Sequence, residues 1–120
     1  MKFFINRTTK EIIEVVLGND TTFTSEGSEM VELKANSTDA AGEKHVPVIT
    51  VDGNKVHVVV GSVLHPMTEE HSIQFIALET KQGVQRKALL PTEQPIADFV
   101  LAEGDEVVAE YEYCNLPGRC

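Results

Sequence analysis

An all-β, antiparallel sandwich is the architecture this sequence predicts, and three observations predict it. Short runs rich in β-branched residues recur from residue 45 to residue 113, each closed by a turn signal. Asp52-Gly53-Asn54 separates two of these runs with a strong hairpin signature. In the last run, Val107, Ala109, Tyr111 and Tyr113 alternate with Glu106, Val108, Glu110 and Glu112. That is the period of a strand with one face inward and one face wet.

Taken in order, the first element is Glu11-Ile12-Ile13-Glu14-Val15-Val16-Leu17, which stops at Gly18-Asn19-Asp20. Ala35-Asn36-Ser37-Thr38-Asp39-Ala40-Ala41-Gly42 is small and polar and reads as a linker or surface loop, so the chain divides into 1–35 and 36–120. Alone, the first part is too short to hold a stable core without a metal or a partner. His45 to Val51 and Lys55 to Val60 are the arms of the hairpin. Glu69 to Leu78 carries apolar spacing that a helix could also use, but among short strands it reads as one more strand. Ser72 to Thr80 runs into Lys81-Gln82-Gly83, and Val84 to Leu90 into a segment bounded by Pro91 and Pro95. Ile96 to Ala102 and Glu106 to Tyr113 flank Glu103-Gly104-Asp105. There is no internal repeat and no low-complexity tract.

A chain of 120 residues suffices for one domain, or for one of about 80 residues with a small appendage. It has no run of about 18 apolar residues, so no membrane span is expected. Met1-Lys2-Phe3-Phe4-Ile5-Asn6-Arg7 lacks the apolar stretch of a signal peptide, and a cytoplasmic location is expected. The net charge of −9 argues against nucleic acid as a partner. It would also repel a small anion unless a local positive charge offset it. Cys114 and Cys120 are too few and too close to form a disulfide framework, and a bond between them is not expected to persist in a reducing cytoplasm.

The chemistry-bearing residues lie in three stretches: Glu43-Lys44-His45-Val46-Pro47-Val48-Ile49, His65-Pro66-Met67-Thr68-Glu69-Glu70-His71, and Tyr113-Cys114-Asn115-Leu116-Pro117-Gly118. Imidazole suits iron, zinc, copper and nickel, and a thiolate narrows the choice toward iron or zinc. The spacing of His65 and His71 does not fit two ligands on one helical face, and there is no C-x-x-C pair, phosphate-cradling glycine loop or nucleophile elbow. One histidine in a β protein is ordinarily a surface or satisfied core residue, and His57 is read that way. His45, His65 and His71 are set apart by the stretches around them.

Those stretches resemble the iron-binding domain of desulfoferrodoxins and superoxide reductases, over most of the chain. The resemblance implies an immunoglobulin-like β-sandwich. It implies one non-haem iron per chain, cycling between Fe2+ and Fe3+, with His45, His65 and His71 as equatorial ligands and Cys114 as the axial one. Superoxide would take one electron at the open face and leave as hydrogen peroxide. Glu43 and Lys44 match the family's mobile pair: Glu43 would cap the sixth position of ferric iron, and Lys44 would attract the anion and help orient a proton source. The resemblance further implies a rubredoxin-like electron donor, the cytoplasm of an anaerobe, a role in oxidative stress, and a homodimer.

The sequence departs from the family in two places. A histidine that follows the family's Cys-Asn-aliphatic run is here Pro117, which removes the fourth imidazole and a backbone N–H. Three outcomes stay open: iron with three histidines, one cysteine and solvent; zinc as a substitute in a tetrahedral site; or Cys120 as a replacement ligand, against which stands a free, disordered thiol. The second departure is in Met1 to Leu33, which resembles the small rubredoxin- or desulforedoxin-like domain of two-iron members. Its four cysteines would fall at Asn6, Thr9, Ser25 and Glu26, so this part is read as a metal-free structural remnant. Two functions follow as alternatives: an oxidoreductase of the superoxide reductase type, or a non-catalytic, degenerate metal-binding or structural member.

Overall fold

Every regular element among the described residues is a strand, as the recurrent Val, Ile and Thr runs predict. The computed structural model describes residues 1–19, 22–33, 47–60, 67–68, 70 and 72–115. The chain divides into two units, Met1–Ser37 and Thr38–Cys120.

In the first unit, β1 (Phe3–Ile5) lies between β2 (Ile12–Glu14) and β5 (Val31–Leu33), antiparallel to both. A miniature hairpin joins β3 (Thr24–Ser25) to β4 (Ser28–Glu29). Its two turn residues, Glu26 and Gly27, both have positive φ, 53° and 74°, the backbone of a type I′ turn. Phe3, Phe4, Ile5 and Met30 are buried, and Phe23 meets Phe4 edge-on with ring centroids 4.8 Å apart. Each of the larger side chains contributes about 1.5–3 kcal/mol on burial. The expected strand over 11–17 ends early, at Glu14; Val16 and Leu17 are 87% and 95% exposed.

A polar knot completes this unit. Asn6 is fully buried. Its Oδ1 accepts from the backbone N–H groups of Thr8 (2.9 Å) and Thr9 (3.1 Å), and its Nδ2 donates to the Ser25 carbonyl (3.0 Å). The hydroxyls of Thr9 and Ser25 both donate to Oε1 of Glu11 at 3.2 Å. Asn6, Thr9 and Ser25 are three of the four positions where the resemblance places cysteines, and here they are tied by hydrogen bonds. A unit too small for a large core gains its cross-links that way.

The second unit is a sandwich of two antiparallel sheets. One orders β10 (Ile96–Val100), β7 (Lys55–Val60) and β6 (Pro47–Asp52); the other orders β11 (Val107–Cys114), β8 (Ile73–Thr80) and β9 (Gly83–Ala88). Val56, Val58, Val60, Ala97 and Phe99 of the first sheet pack with Ile73, Ile76, Leu78 and Cys114 of the second in one buried cluster. Gln85 also donates across the sheets to the Val100 carbonyl at 2.8 Å. This is the sandwich the sequence predicts, and the segment 69–78 that could be read as a helix contributes to strand β8.

The two ends of the sandwich differ. One end is built from tight connections: Gly53-Asn54 between β6 and β7, Lys81-Gln82 between β8 and β9, and the 101–106 segment between β10 and β11. That last segment touches both hairpins. Leu101 N–H donates to the Asn54 carbonyl (2.6 Å), and Asp105 accepts from the Thr80 hydroxyl (2.6 Å) and from the N–H groups of Gln82 (3.0 Å) and Glu106 (2.9 Å). The opposite end carries Pro47, Val60, Ile73, Ala88 and Cys114 at strand termini.

Candidate metal centre

Each candidate ligand belongs, by sequence, to a segment that enters or leaves this opposite end. Pro47 and Val60 are cross-strand partners, so the residue two positions after His45 lies beside the point where the chain leaves β7 toward His65. Ser72, next in sequence after His71, is buried and clamped to Asn115, next after Cys114. Ser72 N–H donates to Asn115 Oδ1 (2.9 Å), and Asn115 N–H donates back to the Ser72 carbonyl (3.1 Å). This reciprocal pair fixes where the chain bearing His71 joins strand β8.

Glu43, Lys44, His45, His65 and His71 themselves lie outside the described residues, as do Pro117 and Cys120. Of the candidate ligands, Cys114 is described. It is 8% exposed and faces the core at the end of β11, opposite Ile73. Its sulfur is disulfide-bonded. The thiolate expected from sequence is therefore a different redox state of the same residue, since a metal takes the deprotonated thiol. Among the described residues no group of three or more His, Cys, Asp and Glu could hold a metal ion. His57 is an exposed residue on the outer face of β7, paired with Asp98 across the sheet, as its surface reading requires.

Strand β11 also presents two acids that the alternation in sequence did not reveal. Val107 is opposite Thr80, but Ala109 is opposite Glu79, so the register slips by one residue between them. A bulge of this kind places two residues of one strand against one of its neighbour and flips the faces that follow. Glu110 and Glu112 consequently stand opposite Leu78 and Ile76, on the core face, while Tyr111 and Tyr113 share the outer face with Ala77 and Phe75. The Phe75 and Tyr113 rings stack at 6.1 Å, and the Tyr111 hydroxyl donates to Glu79 at 3.2 Å. A second slip, between Tyr113 and Cys114, passes over Gln74 of β8, so that Cys114, on the same face of β11 as Glu110 and Glu112, stands opposite Ile73.

Burial, reinforced by the hydrogen bond and the charge of Glu112, pushes the Glu110 carboxyl up to about 10. Burial raises Glu112 too, while its bond from Glu110 pulls it down. The pair holds a proton on Glu110, donated toward Glu112, and each acid has one buried oxygen without a protein partner. No spacing rule in the sequence marks these residues, because a bulge leaves no residue signature. An open depression of about 410 Å³, lined by Met67, Thr68, Leu90, Pro91 and Thr92, lies along the segment between His65 and His71.

The desulfoferrodoxin family profile matches residues 37–119. A desulfoferrodoxin of Clostridium acetobutylicum is 39% identical over 116 residues, covering 97% of this chain and 90% of the relative. A desulfoferrodoxin homolog of Archaeoglobus fulgidus is 43% identical over 107 residues, covering 89% and 84%. The crystal structure of the superoxide reductase from Treponema pallidum superposes with a TM-score of 0.80 at 33% identity, covering 95% of this chain and 90% of that one. Among the described residues, no helix is long and apolar enough to cross a membrane.

Proposed function

Because this chain belongs to the desulfoferrodoxin family, we propose that it reduces superoxide to hydrogen peroxide at a non-haem iron centre, one per chain, held by His45, His65, His71 and, in its reduced state, Cys114. The donor set suits iron: three imidazoles and a thiolate are borderline-to-soft ligands, and zinc is the competing metal. Iron bound there supplies the single electron that superoxide takes up. The observation that most supports this reading is that the strand ends flanking the ligand-bearing segments lie at one end of the sandwich, with Ser72 and Asn115, next in sequence to His71 and Cys114, clamped together.

The chain's own residues contribute binding and protons. Lys44, next in sequence to His45, would supply an ammonium as a local attraction for an anion on a protein of net charge −9. It also helps orient the proton source that completes the peroxide. Glu43 would supply a carboxylate able to bind the iron. A rubredoxin-like protein returns the electron, and the working state is a cytoplasmic homodimer.

Two observations favour a second reading, a metal-binding or structural protein without turnover. Pro117 stands where the family has a fourth imidazole, and the Cys114 sulfur is oxidised. Metal analysis and visible spectra of the anaerobically purified, dithiol-reduced protein separate the two. The catalytic reading expects near-stoichiometric iron, a thiolate-to-iron charge-transfer band on oxidation, and consumption of superoxide without release of dioxygen. Cys114→Ser should abolish the band and weaken iron binding by more than about a hundredfold, since even the groups that merely support ligands are worth 10–100-fold. Bound zinc, or a spectrum unchanged in Cys114→Ser, would refute it.

A further inference from the structure

Disulfide formation and metal ligation compete for the same sulfur, because a metal needs the thiolate. Cys114 is disulfide-bonded, it is buried at the end of β11, and the sequence holds one other cysteine, Cys120. Resting on the metal-centre reading above, we propose that Cys114 and Cys120 form a reversible thiol–disulfide couple whose oxidised state withdraws the sulfur from the candidate centre. The spacing suits a switch better than a staple. A bond across six positions closes a short loop, which removes little entropy from the unfolded chain, and Leu116-Pro117-Gly118 supplies turn-forming residues between the sulfurs.

The oxidant is a peroxide, the class of compound that superoxide reduction releases. One sulfur attacks the O–O bond as thiolate; an S–O bond forms, the O–O bond breaks, and hydroxide leaves as water after taking a proton. The second thiolate then attacks that sulfenic sulfur, forming the S–S bond and expelling the oxygen as a second water. Two thiols and one hydrogen peroxide thus give one disulfide and two waters, with two electrons passing from sulfur to oxygen. A dithiol reductant restores both thiols through a mixed disulfide and becomes a disulfide itself. Accumulated product would in this way disarm the centre until reducing power returns.

The test uses the full-length protein and Cys120→Ser, both reduced with a dithiol and loaded with ferrous iron under anaerobic conditions. Titratable thiols, intact mass and retained iron are measured before and after stoichiometric hydrogen peroxide. The unaltered protein should lose both thiols, lose the mass of two hydrogens, and hold iron at least about tenfold more weakly. Dithiol should reverse all three changes, and Cys120→Ser should keep most of its iron. Two thiols still titratable after peroxide, a disulfide between chains, or equal loss of iron from Cys120→Ser would overturn the couple. A reversible intramolecular disulfide in a chain that binds no iron when reduced would instead leave the couple standing and remove the metal-centre reading.

Discussion

The two ends of the sandwich solve opposite problems with the same residue type, a carboxylic acid. At the turn end, Asp105 is surrounded by donors, foremost the Thr80 hydroxyl and then the backbone N–H groups around Gln82 and Glu106, which together hold its carboxyl below the usual aspartate range. On the strand that leads to the other end, Glu110 and Glu112 are turned inward, among the described residues hydrogen-bonded to each other, and burial holds them above the usual glutamate range. Donors stabilise a charge and burial without donors expels it. The turn end is thus built for closure. The far end keeps polar groups that closure does not use, beside Cys114, and natural proteins tolerate such groups where they serve a site.

The largest effect should come from breaking the reciprocal clamp between Ser72 and Asn115 at the far end. Asn115→Ala removes the acceptor for the buried N–H of Ser72. An unsatisfied buried amide costs about 1–3 kcal/mol. The expected result is a destabilised sandwich and, by loosening the chain next to His71, iron affinity reduced by about tenfold. Denaturant melts of the metal-free protein and iron titrations would measure the two effects separately. Lost stability with unchanged iron affinity would mean the clamp serves the fold alone, and the contrast between the ends would weaken.

A smaller effect, of distinctive sign, is expected at Glu110. Its folded carboxyl keeps a proton up to about 10, while the unfolded chain gives it up in the ordinary glutamate range. The stability it allows is therefore complete in acid and is lost as pH rises from that range toward 10, because the folded state binds more protons. Glu110→Gln keeps the hydrogen-bonding shape and removes the titration. Its melting temperature should exceed that of the unaltered protein by roughly 5 °C near pH 8, and the gap should close near pH 4. A gap independent of pH would show that Glu110 is not held protonated.

The sandwich was legible because its signals are local. Gly53, with φ of +61°, sits in the hairpin that Asp52-Gly53-Asn54 announces, and strands β6 to β11 fall within two residues of the β-branched runs. What the sequence could not show depends on register and long-range partners. The slip between Val107 and Ala109 reverses the face of Glu110 and Glu112 without any residue that demands it. Asn6 reads in sequence as a missing cysteine; only folding brings the Ser25 carbonyl, 19 residues away, to its side chain. The candidate ligands are a third case: His45, His65, His71 and Cys114 stand out only through their flanking motifs, since nothing in their own spacing requires a shared metal.

The smallest predicted effect tests the turn end. Thr80 is buried, accepts from Gly83 N–H and offers its hydroxyl to Asp105 and the Gly83 carbonyl. Thr80→Val keeps the shape and deletes these bonds, at a cost of about 1 kcal/mol. It also removes the largest of the influences that lower Asp105. A depressed aspartate contributes stability that is present above its unfolded range and lost as pH falls through its folded value. The unaltered protein should therefore lose more stability than Thr80→Val when pH drops from 5 toward 2, so that the two melting curves approach each other in acid. Glu110 pulls the other way over a higher pH range, which makes the pair of variants a direct measure of the contrast. If Thr80→Val instead falls further behind in acid, Asp105 is not held by donors, and the turn end would need its stability explained by packing.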